Sequence, residues 1–305
     1  MTINFEGVIP PVVLARHDDG SLDLASYSRN LERLIAADVH GLFVLGSSGE
    51  GAFCTLAERE EILAATRDTV AGRVPVMVGC IDMQTARVIE MVKQAERYDA
   101  DAVVATAPFY ALGGAPQVEN HFRLINAATE LPLFAYDIPV CVHSKLTNDM
   151  LIKLGHEGVL AGLKDSSGDD VSFRLLAIQN REAGSPLKLF TGHEVVVDGA
   201  YLSGADGSVP GLANVDPEGY MRQWEAYQKG DWDTVAEEQN RLAKLMLIAH
   251  QAKSVSGFGA GVGSFKVALK LLGVFESDKM PTPVPQMTAD EVELIRAVLV
   301  EAGLL

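Results

Sequence analysis

Residues 131–165 read LPLFAYDIPVCVHSKLTNDMLIKLGHEGVLAGLKD. The stretch begins and ends with short apolar runs, 131–138 and 160–165, and the segment 147–155 between them has helical periodicity. Both runs are almost continuously apolar, whereas a strand with one solvated face alternates apolar and polar residues. The stretch therefore predicts two parallel strands joined by a helix, in a sheet that is covered on both faces.

The same alternation of apolar runs and helical segments continues over most of the chain. Eight strand–helix units in about 210 residues favour a closed (β/α)8 TIM barrel of the α/β class, with a doubly wound open sheet as the alternative. The apolar runs lie at 7–15, 41–46, 74–80, 102–107, 131–138, 160–165, 187–192 and 207–211. The helical segments lie at 24–38, 56–70, 84–98, 117–130, 147–155, 170–183 and 194–203.

The pattern changes to helices alone after residue 215. We therefore predict a barrel over 1–215 and a small C-terminal helical appendage over 216–305. A glycine cluster within 257–263 has no strand before it, so it is interpreted as a flexible connection and not as a nucleotide site. Thr55 and Asp170 stand where helix N-caps are expected. The appended helices are predicted at 216–229, 231–252, 261–273 and 289–303.

Charge excludes two classes of partner. The 305 residues include 25 Lys and Arg against 41 Asp and Glu, a net charge of −16. Such a surface repels phosphate backbones and anionic lipid. Neither nucleic acid nor a membrane is therefore expected as a partner. The chain also has no basic N-terminal region and no apolar stretch of 18 residues, so neither a signal peptide nor a membrane span is predicted.

The spacing of the cysteines and histidines predicts neither a metal site nor a disulfide. Cys54, Cys80 and Cys141 are far apart and include no CxxC pair, which fits a reducing, cytoplasmic location. His143 and His193 lack the spacing of metal ligands. No metal is expected.

A lysine at a strand end is the most informative single residue. In a barrel the active site lies at the carboxyl ends of the strands. Lys164 lies inside the apolar strand 160–165, where loss of hydration favours the neutral, nucleophilic amine. Such lysines form Schiff bases with carbonyl substrates. Pairing of Lys164 with the carboxylate of Asp165 is the alternative.

Serine and tyrosine hydroxyl groups lie at or just after the carboxyl ends of three other predicted strands. Ser47 and Ser48 lie in a Gly-Ser-Ser-Gly turn at 46–49, which is either an anion-binding nest or an ordinary turn. Tyr110 and Tyr136 are placed to pass a proton, since a phenol both donates and accepts, or else are packed aromatics.

Three motifs in this order resemble those of the dihydrodipicolinate synthase / N-acetylneuraminate lyase family of class I, pyruvate-dependent aldolases. They are Gly-Ser-Ser-Gly-Glu at 46–50, Tyr-Asp-Ile-Pro at 136–139 and Gly-Leu-Lys-Asp at 162–165. The resemblance covers essentially the whole chain. It implies a homotetramer built as a dimer of dimers, and a reaction that needs no metal or organic cofactor because a covalent imine forms on the lysine.

The resemblance also implies roles for individual residues. Lys164 matches the Schiff-base lysine, and Tyr136 matches the tyrosine that shuttles protons. Ser47 and Ser48 match the hydroxyl pair that binds the pyruvate carboxylate and relays protons. Tyr110 matches a tyrosine that, in the synthases, reaches across a tight dimer into the neighbouring site.

Departures from the family pattern bear on the substrate. The synthases usually carry an arginine two residues after the proline of the tyrosine motif, and Cys141 stands there. A thiol does not replace a bidentate guanidinium, which argues against the synthase activity. The predicted substrate-binding residues, beside the two serines above, are Ser166, Ser167, Glu194, His143 and Val209.

The predicted function is a lyase that cleaves or forms a 2-oxo-3-deoxy sugar acid, with pyruvate and an aldehyde as the other reactants. Its expected partners are therefore a small 2-oxo acid and an aldehyde. One alternative is dihydrodipicolinate (4-hydroxy-tetrahydrodipicolinate) synthase itself, and another is a dehydratase of a deoxy-keto sugar acid. The alternative from another class is an inactive barrel that serves as a binding module.

Overall fold

Eight parallel strands form the sheet in the computed structural model, which describes residues 4–305. Neighbouring strands follow the order β1-β8-β7-β6-β5-β4-β3-β2, so the first and last strands in the sequence lie side by side. The strands are β1 Gly7–Val8, β2 Leu42–Val44, β3 Val76–Gly79, β4 Ala102–Thr106, β5 Leu133–Asp137, β6 Gly162–Asp165, β7 Lys188–Thr191 and β8 Gly207–Ser208.

The sheet closes between its first two strands. Phe43 of β2 donates its N–H to Pro10 O at 2.9 Å and accepts a hydrogen bond from Val12 N–H at 2.8 Å. A parallel bridge between Pro11 and Phe43 lies within this pairing. With a helix after nearly every strand, this is the predicted (β/α)8 TIM barrel, and the open-sheet alternative is excluded.

All eight strands are shorter than the apolar runs that predicted them, and β1 and β8, with two residues each, are the shortest. Only Gly7–Val8 of the run 7–15 and Gly207–Ser208 of the run 207–211 are strand. Proline has no N–H to give to a ladder, and Pro10 and Pro210 end the regular pairing. A single 3-10 turn, Gly211–Asn214, then follows β8.

Eight helices belong to the barrel part of the chain within the described residues 4–215. Seven were predicted, and a short helix directly after β5 was not. Thr55 is the N-cap of α2, where it forms a capping box with Glu58, but Asp170 is the first helical residue of α7 and the N-cap is Asp169. The helices are α1 Leu24–Ala36, α2 Leu56–Val70, α3 Thr85–Arg97, α4 Ala115–Asn126, α5 Pro139–Val142, α6 Asn148–His156, α7 Asp170–Glu182 and α8 Val197–Ser203.

Helices alone make up the rest of the chain, as predicted, but the glycine cluster is not a flexible connection. α12 begins at Phe258 and contains three of the four glycines. A Cβ on Gly259 would lie 2.8 Å from Val284 Cγ1, so close packing compensates for the low helix propensity of glycine. The helices are α9 Pro217–Lys229, α10 Trp232–Leu245, α11 Ile248–Gln251, α12 Phe258–Leu271 and α13 Ala289–Glu301.

The C-terminal helices share one hydrophobic core with the barrel. Val262, Phe265 and Leu269 of α12 are buried in the same cluster as the strands. The division into two domains at 215/216 stays a prediction. No helix in the described part of the chain is long and apolar enough to cross a membrane.

Candidate active site

Lys164 is buried at the carboxyl end of β6, with 7% of its surface exposed. The register places it beside Tyr136 of β5, and its Nζ lies 4.1 Å from the centre of the Tyr136 ring. Asp165 lies within ion-pair distance of Lys145 at 3.6 Å, and Lys164 takes part in no ion pair among residues 4–305. The structure therefore excludes the alternative interpretation, an ion pair between Lys164 and Asp165.

A cavity of about 190 Å³, here called the Lys164 cavity, opens at this strand end. A side chain at position 192 would obstruct it, because a Cβ there would meet Ser166 Oγ and lie 3.0 Å from Lys164 Cε. α12 covers the cavity with Phe258, Val262 and Phe265. The predicted residues that line it are Ser48, Tyr136, Lys164, Ser166, Glu194 and Val209.

Ser47 lies on the other side of the turn after β2 and lines a neighbouring cavity of about 250 Å³. The turn is tight, since Glu50 N–H donates to Ser47 O at 3.1 Å and Gly51 N–H donates to Gly46 O at 3.1 Å. Ser47 and Ser48 therefore face two different cavities, with the backbone of one turn between them.

Three predicted residues line neither of these two cavities. Tyr110 is 89% exposed. His143 is exposed in a left-handed conformation and donates its N–H to Pro139 O at 2.8 Å. Ser167 stabilises the turn before α7, because its N–H donates to Asp165 Oδ1 at 2.7 Å and its Oγ accepts from Asp169 N–H at 3.2 Å. The functional roles of these three residues stay predictions.

Glu194 brings a carboxyl group into the Lys164 cavity. Its Oε1 accepts a hydrogen bond from Leu212 N–H at 2.9 Å. Burial raises the pKa of Glu194, while the backbone N–H groups of Gly211 and Leu212 and the charge of Lys164 oppose this rise. The hydrogen bond from Leu212 therefore holds the Glu194 carboxyl group in the wall of the cavity.

Asp137 stabilises the segment that follows Tyr136. It is fully buried, forms an ion pair with Lys145 and accepts a hydrogen bond from Leu146 N–H at 3.2 Å. Burial raises the pKa of Asp137, and Lys145 opposes the rise. The pair connects β5 to the chain after α5, so it positions the loop beside Tyr136.

A buried ion cluster lies beneath the turn at 46–49, here called the serine turn, and the sequence did not predict it. Glu50, 1% exposed, accepts a hydrogen bond from Arg16 Nε at 2.6 Å and forms an ion pair with Lys266 of α12. Lys266 Nζ also donates to Lys279 O at 2.7 Å, and burial lowers its pKa while Glu50 opposes this. Glu50 belongs to the 46–50 motif, but Arg16 and Lys266 had no local signal because they are distant in sequence.

Within residues 4–305 there is no group of three or more His, Cys, Asp or Glu side chains arranged to hold a metal ion. The chemistry available in the Lys164 cavity comes from an amine, hydroxyl groups, a phenol and a carboxyl group.

The amine, phenol, hydroxyl and carboxyl groups of the Lys164 cavity fit one class of enzyme, and comparison with known proteins indicates the same class. The chain is a pyruvate-dependent carbon–carbon lyase of the class I aldolase type. It belongs to the dihydrodipicolinate synthetase family, whose model matches residues 4–302. The family resemblance and the enzyme class expected from the sequence are thereby confirmed.

Individual relatives match over almost their full lengths. A 4-hydroxy-tetrahydrodipicolinate synthase of Phenylobacterium zucineum is 31% identical over 301 residues, 99% of this chain and 98% of its own. A dihydrodipicolinate synthase from Thermotoga maritima superposes with a TM-score of 0.91 at 26% identity, over 99% of both chains. A prophage protein of the same family from E. coli K12, solved in complex with pyruvate, gives a TM-score of 0.92 at 25% identity over 99% of both chains.

Proposed function

We propose that Lys164 forms an imine with the C2 carbonyl of pyruvate or of a longer 2-oxo acid, and that the chain cleaves or forms the C3–C4 bond of a 4-hydroxy-2-oxo acid. The observation that supports this is the buried Lys164 amine, which has no carboxylate partner in the described chain and lies 4.1 Å from the centre of the Tyr136 ring. A protonated imine withdraws electrons from C3, so an enamine forms when the C3–C4 bond breaks.

The neighbouring residues supply the remaining steps of this mechanism. In cleavage, the C4 hydroxyl gives its proton to the phenolic oxygen of Tyr136 while that oxygen passes its own proton through the serine hydroxyls to water, and the aldehyde leaves. The enamine then takes a proton at C3, and water hydrolyses the imine to release pyruvate and the free lysine. Ser47 and Ser48 relay protons, and the backbone N–H groups of their turn bind the substrate carboxylate.

Residues of the Lys164 cavity bind the aldehyde half of the substrate in this mechanism. Ser166, Glu194 and Val209 line the Lys164 cavity, and the first two offer hydrogen bonds to the hydroxyl groups of a sugar acid. The synthase activity is the second candidate, favoured by the name of the relative from P. zucineum. Cys141, which lines the neighbouring cavity, supports the lyase because no guanidinium is present at that position.

We propose a cytoplasmic homotetramer in which Tyr110 serves the site of a neighbouring subunit, because 89% of its surface is exposed in the single chain. The barrel over 1–215 and the appendage over 216–305 are proposed as its two domains. The imine on Lys164 takes the place of a metal or organic cofactor.

Borohydride reduction in the presence of pyruvate tests the mechanism. We expect a reduced pyruvyl adduct on the peptide that contains Lys164, measured by intact mass and peptide mapping. The adduct should be absent from Lys164→Ala and present in Lys188→Ala, a matched control at the opposite end of the adjacent strand β7. A folded wild-type protein without adduct, or with the adduct on another peptide, would contradict the proposal.

A further inference from the structure

Two aspartates lie directly behind the residues that face the Lys164 cavity. The register pairs Tyr136 of β5 with Lys164 of β6. The next pair along the same two strands is Asp137 with Asp165. Because successive side chains of a strand point to opposite faces, Tyr136 and Lys164 face the inside of the barrel and the two aspartates face its outer side. Each of these two strand ends therefore has a carboxylate behind it.

Lys145 bridges the two aspartates. Its Nζ forms an ion pair with Asp137 and lies 3.6 Å from Asp165 Oδ2. Both carboxylates are buried, Asp137 fully and Asp165 with 5% of its surface exposed. Within residues 4–305, no other basic side chain forms an ion pair with either aspartate. One ammonium group thus joins the ends of β5 and β6 from outside the barrel.

The chain brings Lys145 to this place by a sharp reversal after α5. His143 ends α5 in the left-handed conformation, with a φ of 56°, and donates its N–H to Pro139 O at 2.8 Å. Leu146 N–H then donates to Asp137 Oδ1 at 3.2 Å, and Lys145 Nζ donates to Leu146 O at 3.4 Å. These hydrogen bonds hold the backbone beside Lys145 against the end of β5.

The ammonium group offsets a repulsion between neighbouring strands. Like charges directly opposite each other on two strands are destabilising. Burial raises the pKa of Asp137 and the charge of Asp165 adds to the rise, while Lys145 opposes it. Without the ammonium group, the strand ends would move apart or one aspartate would bind a proton. Lys145 therefore controls how closely β5 and β6 approach each other beside the cavity.

We propose that Lys145 is a positioning residue, which sets the distance between the Tyr136 phenol and the Lys164 amine through the two aspartates behind them. The inference rests on the proposed function, because this distance matters only if Tyr136 moves protons for an imine on Lys164. Lys145 does not line the Lys164 cavity, so it acts without touching the substrate. Proton transfer should depend on Lys145, whereas the amount of imine should not, since the imine needs the amine and the site of the substrate carboxylate.

Pyruvate alone, in D2O, separates these two steps. In the imine, the electron pair of a C3–H bond becomes the C2=C3 bond of the enamine, and the pair of the C=N bond returns to nitrogen. The proton goes to the phenolic oxygen of Tyr136, which passes its own proton through the serine hydroxyls to water. The reverse steps bring a deuteron to C3. Loss of the methyl signal in proton NMR measures this exchange, and borohydride trapping at equilibrium measures the imine.

Lys145→Met keeps the approximate length of the side chain and removes its charge. We expect exchange to slow at least ~10-fold, since a misplacement of about 1 Å can cost 10²-fold in rate. The fraction of the chain trapped as the pyruvyl adduct should stay that of the wild type. Lys145→Arg keeps a cation that can contact two carboxylates, so it should restore most of the exchange.

Two further variants complete the test. Lys153→Met is the matched control, because the half-exposed Lys153 of α6 pairs with Glu119 at 2.6 Å, and it should change neither exchange nor trapping. Asp137→Asn/Lys145→Met serves if Lys145→Met does not fold. It removes both partners of the buried pair, so no unpaired carboxylate stays buried at position 137. Its circular dichroism should be that of the wild type, and its exchange should show the same loss.

The outcomes separate this inference from the proposed function. Exchange at the wild-type rate in folded Lys145→Met or in the double variant would overturn the inference. A trapped fraction that falls by as large a factor as exchange would also overturn it, as would Lys145→Arg that exchanges no faster than Lys145→Met. Each of these results, with a normal adduct in the wild type, leaves the imine mechanism intact. Absence of the adduct from the wild type would overturn the proposed function, and the inference with it.

Discussion

The proposed role of Tyr136 in proton transfer depends on one atom, its hydroxyl oxygen. Its ring is buried and packs edge-on against Phe43 with 6.3 Å between ring centres. Tyr136→Phe keeps this packing and removes the proton carrier. We expect kcat to fall about 10²–10⁴-fold, the usual contribution of a general acid–base group, while circular dichroism stays that of the wild type.

Tyr27 provides the control for Tyr136→Phe. It is equally buried, and its hydroxyl hydrogen-bonds to Thr66 Oγ1 at 2.8 Å, away from both cavities. Tyr27→Phe should leave kcat unchanged. If Tyr136→Phe keeps full activity, Tyr136 does not transfer the proton.

His121 makes stability depend on pH. Its Nδ1 lies 2.9 Å from Thr85 Oγ1, and burial lowers its pKa to about 4 from 6.5. Between these values the unfolded chain binds a proton that the folded chain does not. The free energy of unfolding therefore falls as the pH falls, by about 2 kcal/mol between pH 7 and pH 5 from this group alone.

Urea denaturation at pH 7 and pH 5 measures this contribution. His121→Gln should lose less stability over that interval than the wild type does. His143→Gln, at an exposed histidine, should behave like the wild type. An equal loss in His121→Gln and the wild type would show that other groups carry the pH dependence.

At the scale of elements, the Arg16–Glu50–Lys266 cluster joins the segment after β1, the serine turn and α12. Lys266→Met leaves Glu50 with one buried counter-charge instead of two. We expect a loss of about 3 kcal/mol in the free energy of unfolding, the usual range for breaking a buried pair. Because the serine turn loses support, KM for pyruvate should rise by a larger factor than kcat falls.

Lys270→Met is the matched control for this prediction. Lys270 lies one turn further along α12, is half exposed and pairs with Asp278 at 2.7 Å. Only the Lys270 side of this pair is open to solvent, since the Asp278 side chain is 9% exposed. The variant should therefore lose less stability than Lys266→Met does, and KM should stay close to that of the wild type. A fall in kcat by as large a factor as KM rises in Lys266→Met would argue against positioning of the serine turn.

At the scale of the whole molecule, Tyr110 tests the proposed assembly. Lys164→Ala and Tyr110→Phe should each be weakly active as pure proteins. If Tyr110 acts across a two-fold interface, co-expressed chains form mixed dimers with one intact site, and about a quarter of the wild-type activity returns. Activity no higher than that of the separate variants would place Tyr110 outside the neighbouring site.

The barrel could be predicted because its evidence is local. Continuous apolar runs and amphipathic segments such as 56–70 reflect contacts that each strand or helix makes with its immediate layers. The positions of Lys164 and Tyr136 at the carboxyl ends of neighbouring strands could be predicted for the same reason, since each lies in a short motif at the end of a recognisable strand. Helix-breaking glycines misled the local argument at 257–263, because packing against Val284 decides the structure there.

Local sequence alone determined the order of strands and helices, the strand ends that carry Lys164 and Tyr136, and the family. Only the tertiary structure decided that Glu50 lies between Arg16 and Lys266, that Ser47 and Ser48 face different cavities, and that α12 covers the site. The physical reason is the distance along the chain between the residues that interact. Periodicity and turn chemistry act between near neighbours in the chain, whereas cavities and buried ion pairs arise where distant segments pack together.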